Sequence, residues 1–198
     1  MEQHVALLPI YLYGTEVLKK EAQRIIEITD ADVALVQNMF ETMHEANGIG
    51  LAANQIGLLK QILVVDISDT EAGKGTKPLL VINPEIVDEE GEVEFEEGCL
   101  SIPDIREKVW RPESIRLRFQ DINLKVHEKD FDGLFSRVLQ HEIDHLNGIL
   151  FTDYLSGTKK TLLKSRLKKI SKGDIETSYE VVPVETKPKT KSAKSKRK

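Results

Sequence analysis

The chain has 198 residues, 40% of them hydrophobic and 31% charged, with a net charge of −5. That length suits one domain able to bury a sizeable core, and a single cysteine, Cys99, excludes any internal disulfide. No segment approaches the ~20 consecutive apolar residues that a membrane-spanning helix needs.

Val5 to Tyr13 is a short apolar stretch interrupted by Pro9. It lacks the basic leader and small-residue cleavage site of a signal peptide, and it is not the Arg/Ser-rich pattern of a transit peptide. Together with the lone cysteine, which fits a reducing compartment, this gives a cytoplasmic location as the expectation. From Asp30 onward, Val33, Val36, Met39, Phe40 and Met43 recur at three- and four-residue steps. That spacing predicts a helix, capped by Thr29 or Asp30 and ended by Asn47-Gly48. Residues 61–67, 79–87, 114–120 and 123–129 read as strands, rich in β-branched and apolar residues, with Asp121-Ile122-Asn123 as a hairpin turn. A second helix is predicted over 132–146, closed by Gly148, and a third over 158–169. Strands and helices that do not strictly alternate point to an α+β fold of mostly antiparallel sheet.

The charge is uneven. Residues 183–198 carry seven basic side chains and one acid, a net +6, which leaves −11 on the rest. Residues 1–171 are expected to form one domain, and 172–198 a basic, disordered tail with too little to bury.

His141 and His145 stand four residues apart on the second predicted helix, so both imidazoles share one face. Glu142 projects about 100° from His141 and can reach a water at an ion without being a ligand. A catalytic ion needs a third protein ligand, and no histidine follows His145. The remaining histidines are His4, His44 and His127; His44 and His127 lack comparable support and read as structural or solvent-facing. Asp153 falls in a loop, so Cys99, in Glu97-Gly98-Cys99-Leu100-Ser101, is the better candidate; a thiolate is a strong ligand for a borderline ion. The glycine-rich segment 48–57 lacks the Lys-Ser/Thr of a phosphate loop. Its small residues would let another chain lie alongside, and the Gln55 amide could donate to a developing oxyanion.

The segments Gly48-Ile49-Gly50-Leu51-Ala52-Ala53-Asn54-Gln55, Glu97-Gly98-Cys99-Leu100-Ser101 and His141-Glu142-Ile143-Asp144-His145 resemble the three signature motifs of the peptide deformylase family, in order and spacing. The resemblance spans about residues 5–165 and implies sheets around a central HExxH helix, with a C-terminal helix. It implies removal of the formyl group from N-formylmethionyl peptides. It also implies one divalent metal ion, Fe2+ first and Zn2+ or Ni2+ as substitutes. The expected ligands are Cys99, His141 and His145. Glu142, Gln55 and the Leu100 N–H are the expected catalytic groups. Ile49, Gly50, Glu97, Leu134 and Val138 are expected at the substrate, the last two because they precede His141 by seven and three residues. Arg137 is expected at the rim. A zinc endopeptidase would use the same helix, and a closed structural metal site would need a fourth Cys or His that is not placed for it. The basic run from Lys159 to Lys172 and the tail either contact ribosomal RNA or form a solvated face.

Overall fold

The computed structural model describes residues 6–185. In chain order they run β1 (Ile10–Tyr11), α1 (Asp30–Glu45), β2 (Gly50–Ala52), β3 (Ile62–Val65), β4 (Leu79–Glu90), β5 (Val93–Cys99), β6 (Ile102–Arg111), β7 (Ser114–Gln120), β8 (Val126–Asp132), α2 (Gly133–Leu146), α3 (Gly157–Ser171) and β9 (Val181–Val182). A five-stranded antiparallel sheet has the order β2-β3-β4-β7-β8, β5 and β6 form a separate antiparallel hairpin, and β1 pairs with β9 in parallel.

Two rows of apolar side chains explain why β3 lies inside. Leu63 and Val65 face a cluster with Val138, Leu139, Ile143 and Leu146 of α2, while Ile62 and Val64 face Met39 and Met43 of α1. A strand covered on both faces reads as an unbroken apolar run, and Ile62-Leu63-Val64-Val65 is one. β7 is covered on one face only, so it alternates: Ile115, Leu117 and Phe119 are buried, and Arg116 and Arg118 are exposed. A third cluster joins Leu163, Leu167 and Ile170 of α3 to Ile102, Ile105 and Val109 of β6. α2 thus lies between the sheet and the hairpin, and the α+β architecture with antiparallel sheets follows.

The cap of α1 is reciprocal. Thr29 Oγ1 accepts from the Asp32 N–H at 3.3 Å, and the Asp32 carboxylate accepts from the Thr29 N–H at 3.0 Å. Val33, expected on the buried face, is exposed instead. The helix ends at Glu45, and Asn47 turns the chain away with a left-handed φ of 55°.

Other expectations shift. β8 begins at Val126 rather than Asn123 because the turn is longer than a tight hairpin. Asp121 Oδ1 accepts from the Asn123 and Lys125 N–H groups, and Leu124 adopts φ 57°. The β5–β6 hairpin was not legible as strands. Glu94, Glu96 and Glu97 crowd β5, and an inward-facing arginine, Arg111, breaks the apolar period of β6. The tail does not begin at Lys172. The Ile10 and Leu12 N–H groups donate to Glu180 O and Val182 O, both at 2.9 Å, and the Val184 N–H donates to Ser171 O at 2.8 Å. Ile175, Tyr179 and Val181 pack on the core. A few apolar residues suffice to order this polar stretch because β1 offers it a backbone edge. The basic residues 187–198 of the expected tail lie outside the described residues. No helix among the described residues is long and apolar enough to cross a membrane.

Candidate metal centre and substrate cleft

α2 places His141 and His145 one turn apart with ring centroids 4.9 Å from each other. The hairpin supplies the third group. β5 and β6 pair in regular register up to Gly98, then shift so that Cys99 pairs with Ile102 across Leu100-Ser101. That irregular turn brings Cys99 Sγ to 3.2 Å from His145 Nε2. Cys99, His141 and His145 each offer one ligand atom within 4.8 Å of the others. One sulfur and two imidazole nitrogens suit a borderline divalent ion, and three protein ligands leave a fourth position open.

The charges around this cluster are ordered by Glu97. Its carboxylate accepts from Arg111 Nε at 2.7 Å, Arg111 Nη2 at 3.1 Å and Arg137 Nη1 at 2.9 Å. It also lies 2.9 Å from His141 Nδ1, which fixes that nitrogen as the donor and leaves Nε2 for an ion. Burial alone would raise the Glu97 carboxyl, but the bonds from His141 and Arg111 outweigh it and bring it down to about 2. Arg111 in turn donates to Asp144 at 2.6 Å and lies over the Tyr154 ring at 4.6 Å. Glu97 lines the cleft, but its carboxylate oxygens are engaged by Arg111, Arg137 and His141. Arg137 is not at the rim. It is buried, bound to Glu97 and to the carbonyls of Val109 and Val93.

Glu142 is different in kind. It is buried, and its Oε2 has no hydrogen-bond partner among the described residues. Burial, reinforced by the negative charge of Glu97, pushes its carboxyl up to about 7 against the pull of His141. A carboxylate poised near neutrality, one residue from the candidate ligand His141, suits proton transfer. Burial and the neighbouring His141 push His145 well below its ordinary value, so it is neutral, as ligation requires.

Gln55 sits in a 3₁₀ turn, Ala53–Ile56, directly after β2. Its Oε1 accepts from the Ala52 N–H at 2.8 Å, which orients Nε2 toward Cys99 Sγ at 3.5 Å and Ser101 Oγ at 3.4 Å. These two contacts are long, so the amide retains donor capacity. Ile49, Gly50, Gln55, Leu100, Leu134, Val138, His141 and Glu142 all line one cavity of about 580 Å³, which joins the expected catalytic and apolar groups. β2 pairs only with β3, so its outer edge has no strand partner among the described residues. A Cβ at Gly50 would stand 2.5 Å from Glu142 Oε1 and 2.8 Å from Val138 Cγ1. Only glycine lets this edge approach the carboxylate so closely.

Sequence reasoning missed Arg111, Asp144, Ser101 and Tyr179. Asp144 lies inside the helical motif and could have been singled out. Arg111 shares its strand face with buried Val109, a position where a charge needs a partner. The Tyr179 hydroxyl donates to Leu100 O at 2.8 Å, a link no local pattern announces.

The sequence profile of a family described as polypeptide deformylase matches residues 7–161. The peptide deformylase of Salinibacter ruber is 49% identical over 184 residues, covering 89% of this chain and 94% of the relative. That of Cytophaga hutchinsonii is 47% identical over 175 residues, covering 87% and 95%. The crystal structure of a peptide deformylase from Legionella pneumophila matches this fold with a TM-score of 0.78 at 38% identity, covering 85% of this chain and 98% of its own.

Proposed function

The chain belongs to the peptide deformylase family, and from that premise we propose how its residues divide the work. The enzyme hydrolyses the N-formyl group of newly synthesised polypeptides that begin with formyl-methionine, releasing formate. Metal dependence is a property of the family. We propose Cys99, His141 and His145 as the ligands, and Fe2+ as the native ion with Zn2+ or Ni2+ able to replace it. Such an ion supplies Lewis acidity to the attacking water and to the formyl carbonyl.

Glu142 accepts the proton of the water as its oxygen attacks the formyl carbon. It then delivers that proton to the amide nitrogen as the C–N bond breaks, so formate and a free amine leave. The Gln55 Nε2–H and the Leu100 N–H donate to the developing oxyanion. The substrate backbone lies along the open edge at Ile49 and Gly50 as an added strand. Leu134 and Val138 receive the methionine side chain. Glu97, with Arg111, keeps His141 in the ligating tautomer.

The observation that carries this reading is the unpartnered Glu142 Oε2, buried in the cleft that Cys99 and His141 also line. Glu142→Ala is expected to keep one ion per chain by metal analysis and to lose formate release from a formyl-Met tripeptide by at least ~100-fold. Turnover close to wild type would remove Glu142 as the base.

Exposed lysines on α3 support a ribosome-facing role, and a thiolate ligand supports a reducing cytoplasm; both are proposals. Cosedimentation with ribosomes that survives charge reversal of Lys164 and Lys168 would exclude that face.

A further inference from the structure

The segment Ile175–Val182 belongs to none of the three motifs, yet Glu176, Thr177, Ser178 and Tyr179 line the same cavity as Glu142 and Gly50. Its C-terminal end is held by the sheet. β9 pairs with β1 through Ile10–Val181 and Tyr11–Val182, and the Tyr13 N–H of the same strand region donates to Ser101 O at 2.9 Å. Tyr179 packs beside Leu100 against the cluster that contains Met39 and Met43. Its hydroxyl donates to Leu100 O at 2.8 Å, and Thr177 Oγ1 closes the local turn by donating to Tyr179 O at 2.7 Å.

Both bonds, from Tyr179 and from Tyr13, fall on the Leu100-Ser101 turn. That turn carries the Cys99 sulfur on one side and the Leu100 N–H on the other. A wall built from a third, C-terminal segment therefore meets the turn that presents reacting groups. The cavity also extends past those groups to Pro103, Asp104, Ile105 and Arg106 of β6, opposite the edge strand β2. A chain lying along β2 would run between that strand and this wall.

We propose that Ile175–Val182 is a specificity wall of the cleft. Its Glu176 carboxylate reads the residues that follow the formyl-methionine, and Tyr179 acts as a positioning residue for the Leu100 turn. Glu176 is exposed and has no ion-pair partner among the described residues, so its charge is available to a substrate side chain. A cationic residue after the methionine is favoured over an anionic one. Tyr179 touches no reacting atom; by holding the Leu100 carbonyl it restrains the peptide plane that follows Leu100, and through the Leu100 Cα it limits how far the Leu100 N–H can turn.

This proposal rests on the deformylase reading, and its test separates the two. Wild type, Glu176→Lys and Tyr179→Phe full-length chains, metal-loaded, are assayed on formyl-Met-Lys-Ser and formyl-Met-Glu-Ser. Dissociation constants of the deformylated products are measured by calorimetry. Glu176→Lys is expected to shift the Lys-over-Glu preference several-fold toward Glu, in kcat/KM and in product binding alike. Tyr179→Phe keeps the ring and is expected to lower kcat several-fold on both peptides with KM little changed and the thermal midpoint within a few degrees of wild type. A preference ratio unmoved by Glu176→Lys overturns the specificity wall, and an unchanged kcat in Tyr179→Phe overturns the positioning role. Wild type that deformylates neither peptide overturns the deformylase reading itself.

Discussion

At Glu97 a single buried carboxylate meets Arg111, Arg137 and His141. Desolvating so many charges costs free energy that only full pairing offsets, so removing one partner is far more damaging than its bond count suggests. Glu97→Gln keeps the shape but leaves two buried guanidinium groups against a neutral amide. We expect a loss of about 3 kcal/mol in unfolding free energy by urea titration. Metal affinity should also weaken ~10- to 100-fold in competition with a chelator, because His141 loses the acceptor that fixes its tautomer. Lower stability with unchanged metal affinity would make Glu97 a purely structural residue. His141, Glu142 and His145 were legible because helix periodicity is local. The role of Glu97 was not, because its partners stand 14, 40 and 44 residues away in the chain.

On the scale of elements, the site depends on how closely β2 lies against α2. The glycines of 48–50 read from sequence as a place for close approach, but only the packing shows what approaches. An alanine at Gly50 would drive its Cβ into Glu142 Oε1, 2.5 Å away, and that carboxylate or the edge strand must then move. Gly50→Ala is therefore expected to cut kcat/KM at least ~10-fold while metal content stays at wild-type level. Gly157→Ala is the matched control, since a Cβ there meets nothing within 4 Å, and its activity should be that of wild type. The β5–β6 hairpin escaped sequence reading for a related reason. Its inward positions include Arg111, and a charge on a buried face looks like a solvent position until its partner is known.

The whole molecule adds ties between distant segments. Asp32 in the first turn of α1 pairs with Lys60, just before β3. Burial alone would raise the Asp32 carboxyl, but Lys60 and Thr29 outweigh it and bring it down from 3.8 to about 2. The folded chain thus binds that proton less tightly than the unfolded one. The stabilisation is complete above the unfolded value, near pH 4, and is lost as pH falls through about 2. Asp32→Asn should remove it, costing of order 1 kcal/mol at pH 6 because Lys60 stays partly exposed. It should also shallow the acid side of the stability profile, while the drop due to Glu97 remains. Denaturant midpoints between pH 2 and 6 read this directly; an unchanged slope would discount the pair. The sequence alone determined the α+β class, α1, the main strands and the helix with both histidines, and it singled out Cys99 as the candidate third donor. Each rests on periodicity or on residue chemistry, which short windows retain. Tertiary structure decided that Glu97 and Arg137 are paired with each other beside His141. It also decided that residues 176–179, polar and unpromising by composition, line the cleft. Both outcomes turn on which groups share a low-dielectric interior and which backbone edges stand free, and neither is fixed until distant segments meet.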